Sequence, residues 1–226
     1  MRGGTLPPDR PAGLMAYHRV LADSLGPQHW WPGKTPFEVI VGAILTQNTS
    51  WTNVERAIAN LKRKKLLSPL GIESVPVRSL EKLIRSSGYF RQKAKKLKTF
   101  VRFLREEYDG SLARMFRRPA SELREKLLAV HGIGPETADS ILLYAARKDV
   151  FVVDAYTKRI LSRHGWAAED VKYEEMRSLI EDNLPRDVSL YNEFHAQLVQ
   201  VGKNWCRPRG PRCSECPLEP FLETRP

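Results

Sequence analysis

The 226-residue chain is short of three things. It has only three cysteines, all between residues 206 and 216. Three clustered thiols are not a disulfide framework, which excludes a small disulfide-stapled scaffold and points to a reducing compartment such as the cytosol. No apolar run nears the ~20 residues of a membrane-spanning helix; the longest useful one is VIVGAIL, 39–45. The opening stretch MRGGTLPPDRPAG lacks the apolar centre of a signal peptide and looks like a Pro/Gly-rich lead-in. Acid is scarce too: 26 Asp and Glu stand against 37 Lys and Arg, a formal charge of +11. Such a balance favours polyanionic partners, nucleic acid foremost.

Strand signals are missing as well. No segment alternates apolar and polar residues between turn dipeptides, and no repeat recurs at a fixed period, which argues against sheets and solenoids. Helical patterns fill the chain instead. TPFEVIVGAIL, from Thr35, opens with Pro36 at the first helical position and Glu38 three residues after Thr35, the pattern of a capping box. Phe37, Ile40, Val41, Ile44 and Leu45 then share one face. TSWTNVERAIANL, SLEKLIRSSG and RQKAKKLKTFVRFLREEY follow with the same period. The last is apolar at Leu97, Phe100, Val101 and Leu104, and places Arg91, Lys93, Lys95, Lys96 and Lys98 on its other side, as a solvated or nucleic-acid-facing surface. SELREKLLAV reads as a helix capped by Ser121, VFVV as a short apolar segment, and YEEMRSLIEDNL and LYNEFHAQLVQVGKNW as the closing helices. The expected fold class is all-α.

Two segments carry chemistry. In LAVHGIGPETADSILL, 128–143, Gly132, Ile133 and Gly134 join two helices, the second starting at Pro135. Glycines let a ligand approach the backbone, and a helix start offers N–H groups and a positive dipole end, so one DNA phosphate would suit this turn. His131 reads as a turn residue. A few residues on, VVDAYTKR holds a lone acid, Asp154, at a helix start. A carboxylate so near an anion grip needs a reason. Fixed there, it could stabilise a developing positive charge and orient or deprotonate a water.

LLAVHGIGPETADSILLYAA with VFVVDAYTKRIL resembles the helix-hairpin-helix Gly/Pro-Asp superfamily of DNA glycosylases, and its endonuclease III branch in particular. GAILTQNT (42–49), GYFRQKAKKL (88–97) and the terminal cysteines look like the same branch, so that the resemblance spans roughly 35–216. It implies a two-domain helical protein with a central cleft: a six-helix domain over 36–147 carrying the hairpin, and a second domain from 1–35 plus 148–226. The implied partner is double-stranded DNA with a damaged base flipped out, bound by a monomer of cytoplasmic or nucleoid-associated location. Asp154 matches the family's catalytic aspartate, and Gln47 the glutamine that fills the hole left by the extruded nucleotide. Where bifunctional members carry a Schiff-base lysine, in Gly-x-Gly-x-Lys-Thr-Ala, this chain has Glu136, which cannot form an imine.

The segment HWWPG resembles the base-pocket wall of the 3-methyladenine DNA glycosylase III subgroup, which makes Trp30, Trp31 and Pro32 candidate pocket residues. An N-methylated purine is cationic and leaves readily, and Trp faces attract cations. The favoured expectation is a monofunctional glycosylase for such purines. An endonuclease III-like glycosylase/AP lyase for oxidised pyrimidines, and a non-catalytic helix-hairpin-helix DNA-binding protein, are the alternatives. Cys206, Cys213 and Cys216 match the first three ligands of the endonuclease III [4Fe–4S] loop, but the fourth place is Leu222. A cluster on three thiolates and a loop of free thiols both stay open.

Overall fold

The computed structural model describes residues 13–28, 30 and 33–222. Trp31, Pro32 and most of the Pro/Gly-rich lead-in lie outside the described residues. Every regular element is helical, with no strand among the described residues. The helices are α1 (Leu14–Leu25), α2 (Pro36–Leu45), α3 (Trp51–Arg63), α4 (Pro69–Ser74), α5 (Val77–Leu83), α6 (Phe90–Tyr108), α7 (Leu112–Phe116), α8 (Ala120–Ala129), α9 (Pro135–Ser140), α10 (Ala155–Arg163), α11 (Tyr173–Asp182) and α12 (Val188–Asn204). None is long and apolar enough to cross a membrane. The chain divides into two compact units, Trp31–Asp149 and Met1–Trp30 with Val150–Pro226.

In the first unit α2 is the core. Thr35 accepts the Glu38 N–H and Pro36 opens the helix, as the sequence suggests. The reciprocal half of the capping box is absent, because the Glu38 carboxylate bonds the Lys62 ammonium at 2.6 Å instead. All nine residues from Phe37 to Leu45 are buried, not one face alone. A helix walled on every side holds its C-terminus firmly, and that end leads to Gln47. Val54, Ala57, Ile58 and Leu61 of α3 and Leu97, Phe100, Val101 and Leu104 of α6 complete the core. α8 starts two residues earlier than expected, with Pro119 at the N-cap position, so Ser121 is inside the helix and caps nothing.

The polar side of α6 is only partly the solvated stripe that its spacing suggests: Arg91 and Lys95 are exposed, but two lysines turn inward. Lys93 is buried, and its ammonium donates to the Leu45 carbonyl at 2.9 Å and the Ser87 carbonyl at 2.5 Å. Burial, with Lys96 nearby, lowers its pKa to about 8. Lys98 likewise turns to the carbonyls of Glu73 and Val75. Long stems let these lysines cap buried carbonyls.

In the second unit α10 crosses α12 closely. A Cβ at Gly202 would come within 2.2 Å of the Tyr156 ring, so only glycine permits this approach. Tyr17 of α1 stacks on Phe221 at 4.4 Å and bonds the His164 ring at 3.2 Å, which ties α1 to the end of the chain.

Candidate active site and DNA interface

The hairpin between α8 and α9 is built as the sequence suggests, with a division of labour between its glycines. Gly132 has φ +90°, which other residues resist, and a Cβ there would also lie 2.6 Å from Lys96 Cγ. Gly134 is extended, at φ −93° and ψ 178°, with nothing within 4 Å of a Cβ. Positive φ is therefore needed at Gly132 alone, and Gly134 leaves open space above the start of α9. Ile133 is buried between them. No side chain caps α9 at Gly134. Glu136 is exposed in the first turn.

Behind the turn, Arg124 of α8 grips Asp139 of α9 through two hydrogen bonds, at 2.7 and 3.1 Å. The Asp139 side chain is 0% exposed. Past Ser140 the helix widens into a π turn over Ile141–Ala145, closed by Ala146 N–H to the Ile141 carbonyl at 2.9 Å. A π turn of this kind often marks a functional segment.

Gln47 sits in the same unit and is tied to the hairpin. Its Nε2 donates to Thr137 Oγ1 at 2.8 Å and to the Gly132 carbonyl at 3.3 Å, while its Oε1 accepts from the Lys96 ammonium. Lys93, by holding Leu45 and Ser87 together, also brings the Gln47 loop beside the loop that ends at Tyr89. Tyr89 is 65% exposed with φ +43°. A non-glycine residue held in the left-handed region is uncommon, and such backbone strain clusters at functional sites.

Asp154 belongs to the other unit. The segment before it, Phe151–Val153, is buried but forms no strand. Its amides find side chains instead: Phe151 N–H donates to Glu181 at 2.9 Å and Val153 N–H to the Tyr173 hydroxyl at 3.3 Å. So anchored, the chain delivers Asp154 as the N-cap of α10, where Oδ1 accepts the Thr157 N–H at 2.7 Å. Its Oδ2 lies 3.6 Å from His195 Nε2 of α12, with side-chain exposures of 14% and 5% for Asp154 and His195. Burial pushes against ionisation, but the His195 imidazole 3.6 Å away and the Thr157 N–H bond outweigh it and hold the carboxyl below its ordinary range. The site therefore offers a nearly buried carboxylate that stays ionised. His195 has no local signal in LYNEFHAQLV, and nothing short of the packing of α12 on α10 would have found it.

Of the expected base-pocket residues only Trp30 is described. The Lys203 ammonium lies 5.2 Å from its ring centroid, a cation on a π face.

The cysteine loop differs from a metal cradle. Cys206, Cys213 and Cys216 are free thiols, and no group of three metal-ligating side chains forms among the described residues. Leu222, in the fourth place, is a hydrocarbon and cannot ligate. The donor set does not fit a four-ligand [4Fe–4S] site. Arginines hold the loop instead. Arg159 donates to the carbonyls of Cys206 and Gly202 at 2.8 and 3.2 Å, and Arg163 to those of Arg207 and Pro208 at 2.7 and 3.0 Å. Arg212 reaches the Asn204 carbonyl at 2.7 Å.

An all-helical fold with a glycine hairpin and a capped, ionised aspartate one helix later defines the helix-hairpin-helix class of DNA repair enzymes. Residues 41–186 match the HhH-GPD superfamily of base excision DNA repair proteins. A Methanocaldococcus jannaschii protein that carries the name of a DNA repair glycosylase is 48% identical over 90% of this chain and 93% of its own length. Endonuclease III of Thermotoga maritima is 32% identical, covering 83% of each chain. Among solved structures, the Helicobacter pylori 3-methyladenine DNA glycosylase MagIII, bound to 1,N6-ethenoadenine, superposes with a TM-score of 0.75 at 28% identity, covering 85% of this chain and 98% of its own. An endonuclease III–DNA complex shares the fold, with a TM-score of 0.80 at 23% identity over 93% of this chain and 94% of that one. The chain belongs to the HhH-GPD superfamily, in its endonuclease III branch, and is a DNA glycosylase of base excision repair.

Proposed function

We propose that this protein is a monofunctional glycosylase that hydrolyses the N-glycosidic bond of N-methylated purines, 3-methyladenine among them, in double-stranded DNA. The observation that carries the reading is Asp154: nearly buried, capped by the Thr157 N–H, and kept ionised beside His195. A carboxylate so fixed needs no reorganisation as the sugar turns cationic, which is how electrostatic catalysis gains most of its effect. In this account Gly132, Ile133 and Gly134 hold one backbone phosphate. Gln47 fills the space of the extruded nucleotide, with Tyr89 meeting DNA from the neighbouring loop. Asp154 stabilises the developing oxocarbenium ion and orients or deprotonates the incoming water.

Glu136 at the lyase position supports release of base without strand cleavage, since a carboxylate cannot attack the sugar carbon to form an imine. The Trp pair, and the likeness to a 3-methyladenine glycosylase, support a purine substrate. Lys203 over Trp30 indicates a face suited to a cation. With that face engaged, Trp31 is the ring we assign to stacking on the base. Lesion duplexes test this reading. Methylated purines should be released to leave a strand that breaks only after alkali, with no borohydride-trapped complex. Excision of thymine glycol with an alkali-independent nick and a trapped adduct would overturn it.

A further inference from the structure

We propose that Lys96 is a positioning residue that holds Gln47 against the hairpin, ordering its amide before the nucleotide is extruded. The inference rests on the reading of Gln47 given above. Two contacts and one neighbour define this lysine's place. Its stem crosses the face of Gly132, where a Cβ would lie 2.6 to 2.9 Å from Cγ, Cδ and Cε. Its ammonium donates to Gln47 Oε1. It stands one helical turn from Lys93, whose own ammonium ties down the Leu45 carbonyl just before Gln47.

Gln47 is thereby held at both ends of its amide. Oε1 faces a cation, and Nε2 faces two acceptors, Thr137 Oγ1 and the Gly132 carbonyl. The opposite amide orientation would point an N–H group at the ammonium and a carbonyl oxygen at the Gly132 carbonyl, losing both of those bonds while the Thr137 hydroxyl could turn to donate, so Lys96 and Gly132 fix which end of Gln47 points where. A free glutamine would pay rotamer entropy on entering the duplex, and this one has been ordered beforehand. The same lysine explains a second demand on Gly132. Any side chain there would displace the Lys96 stem, and with it Gln47.

A double-mutant cycle tests the coupling. Wild type, Lys96→Met, Gln47→Ala and the double variant are compared on a duplex that carries 2-aminopurine beside a hydrolysis-resistant 2′-fluoro methylpurine nucleotide. The readouts are the fluorescence rise on extrusion and the affinity for undamaged duplex across a salt series. Lys96→Met should lose extrusion roughly tenfold, the size of one hydrogen bond to a charged group. The double variant should be no worse than Gln47→Ala alone. Affinity for undamaged duplex should stay within about twofold with an unchanged salt slope, and Lys96→Arg should restore most of the extrusion. Wild-type extrusion by Lys96→Met, or additive losses in the double variant, would overturn the inference. So would weakened binding to every duplex with a shallower salt slope, which would make Lys96 a plain phosphate contact. If Gln47→Ala itself extrudes normally, the assignment of Gln47 fails first and this inference falls with it.

Discussion

Asp154 and His195 are far apart in sequence and 3.6 Å apart in the fold. Burial alone would favour a protonated Asp154; the neighbouring His195 and the Thr157 N–H bond reverse that, so its pKa is lowered. The consequence for stability follows from the direction. A carboxyl with a lowered folded-state pKa stabilises the chain above the unfolded value, near ~4, and that contribution is lost as pH falls through the lower folded value. Catalysis should share this tolerance of acid. His195→Gln removes the charge that opposes burial, so the Asp154 pKa should rise. The acid limb of the single-turnover pH–rate profile should then move to higher pH, with DNA affinity retained. An unmoved limb would show that His195 does not set the state of Asp154. At this scale the sequence revealed the carboxylate, because VVDAYTKR places it at a helix start after an apolar segment. It hid the partner, because a histidine in an amphipathic helix looks like any half-buried polar residue.

At the scale of elements, the helices were legible from periodicity and caps, and the hairpin from its glycines. What the pattern could not convey is where long polar side chains go. Lys93 and Lys98 lie on the side of α6 that spacing marks as polar, yet both reach inward to carbonyls. Arg124 and Asp139 look like ordinary charges on α8 and α9, but pair at the base of the hairpin. Removing one partner of so buried a pair strands the other. Asp139→Asn should cost about 3–5 kcal/mol of stability in chemical denaturation and weaken binding to damaged and undamaged duplexes alike. A variant of wild-type stability would show that the pair does not fix the hairpin. Short helices such as α4 and α7 carry too few turns to leave a period in the sequence, and went unseen.

On the scale of the whole molecule, composition bounded the answer before any motif did. An excess of 37 basic over 26 acidic residues suits a phosphate backbone, and the helical pattern throughout matches the all-α fold. The cysteine loop shows the limit of spacing as a guide. Three of four ligand positions are kept, yet arginine–carbonyl bonds order the segment. The central claim, that Asp154 carries out base release in a protein that binds DNA through separate residues, is tested most directly by one comparison. Single-turnover release of 3-methyladenine is measured for the wild type and Asp154→Asn, alongside binding to the same duplex. The account predicts retained affinity and a loss of release of about two orders of magnitude or more. Release by Asp154→Asn within a few-fold of the wild type would contradict it.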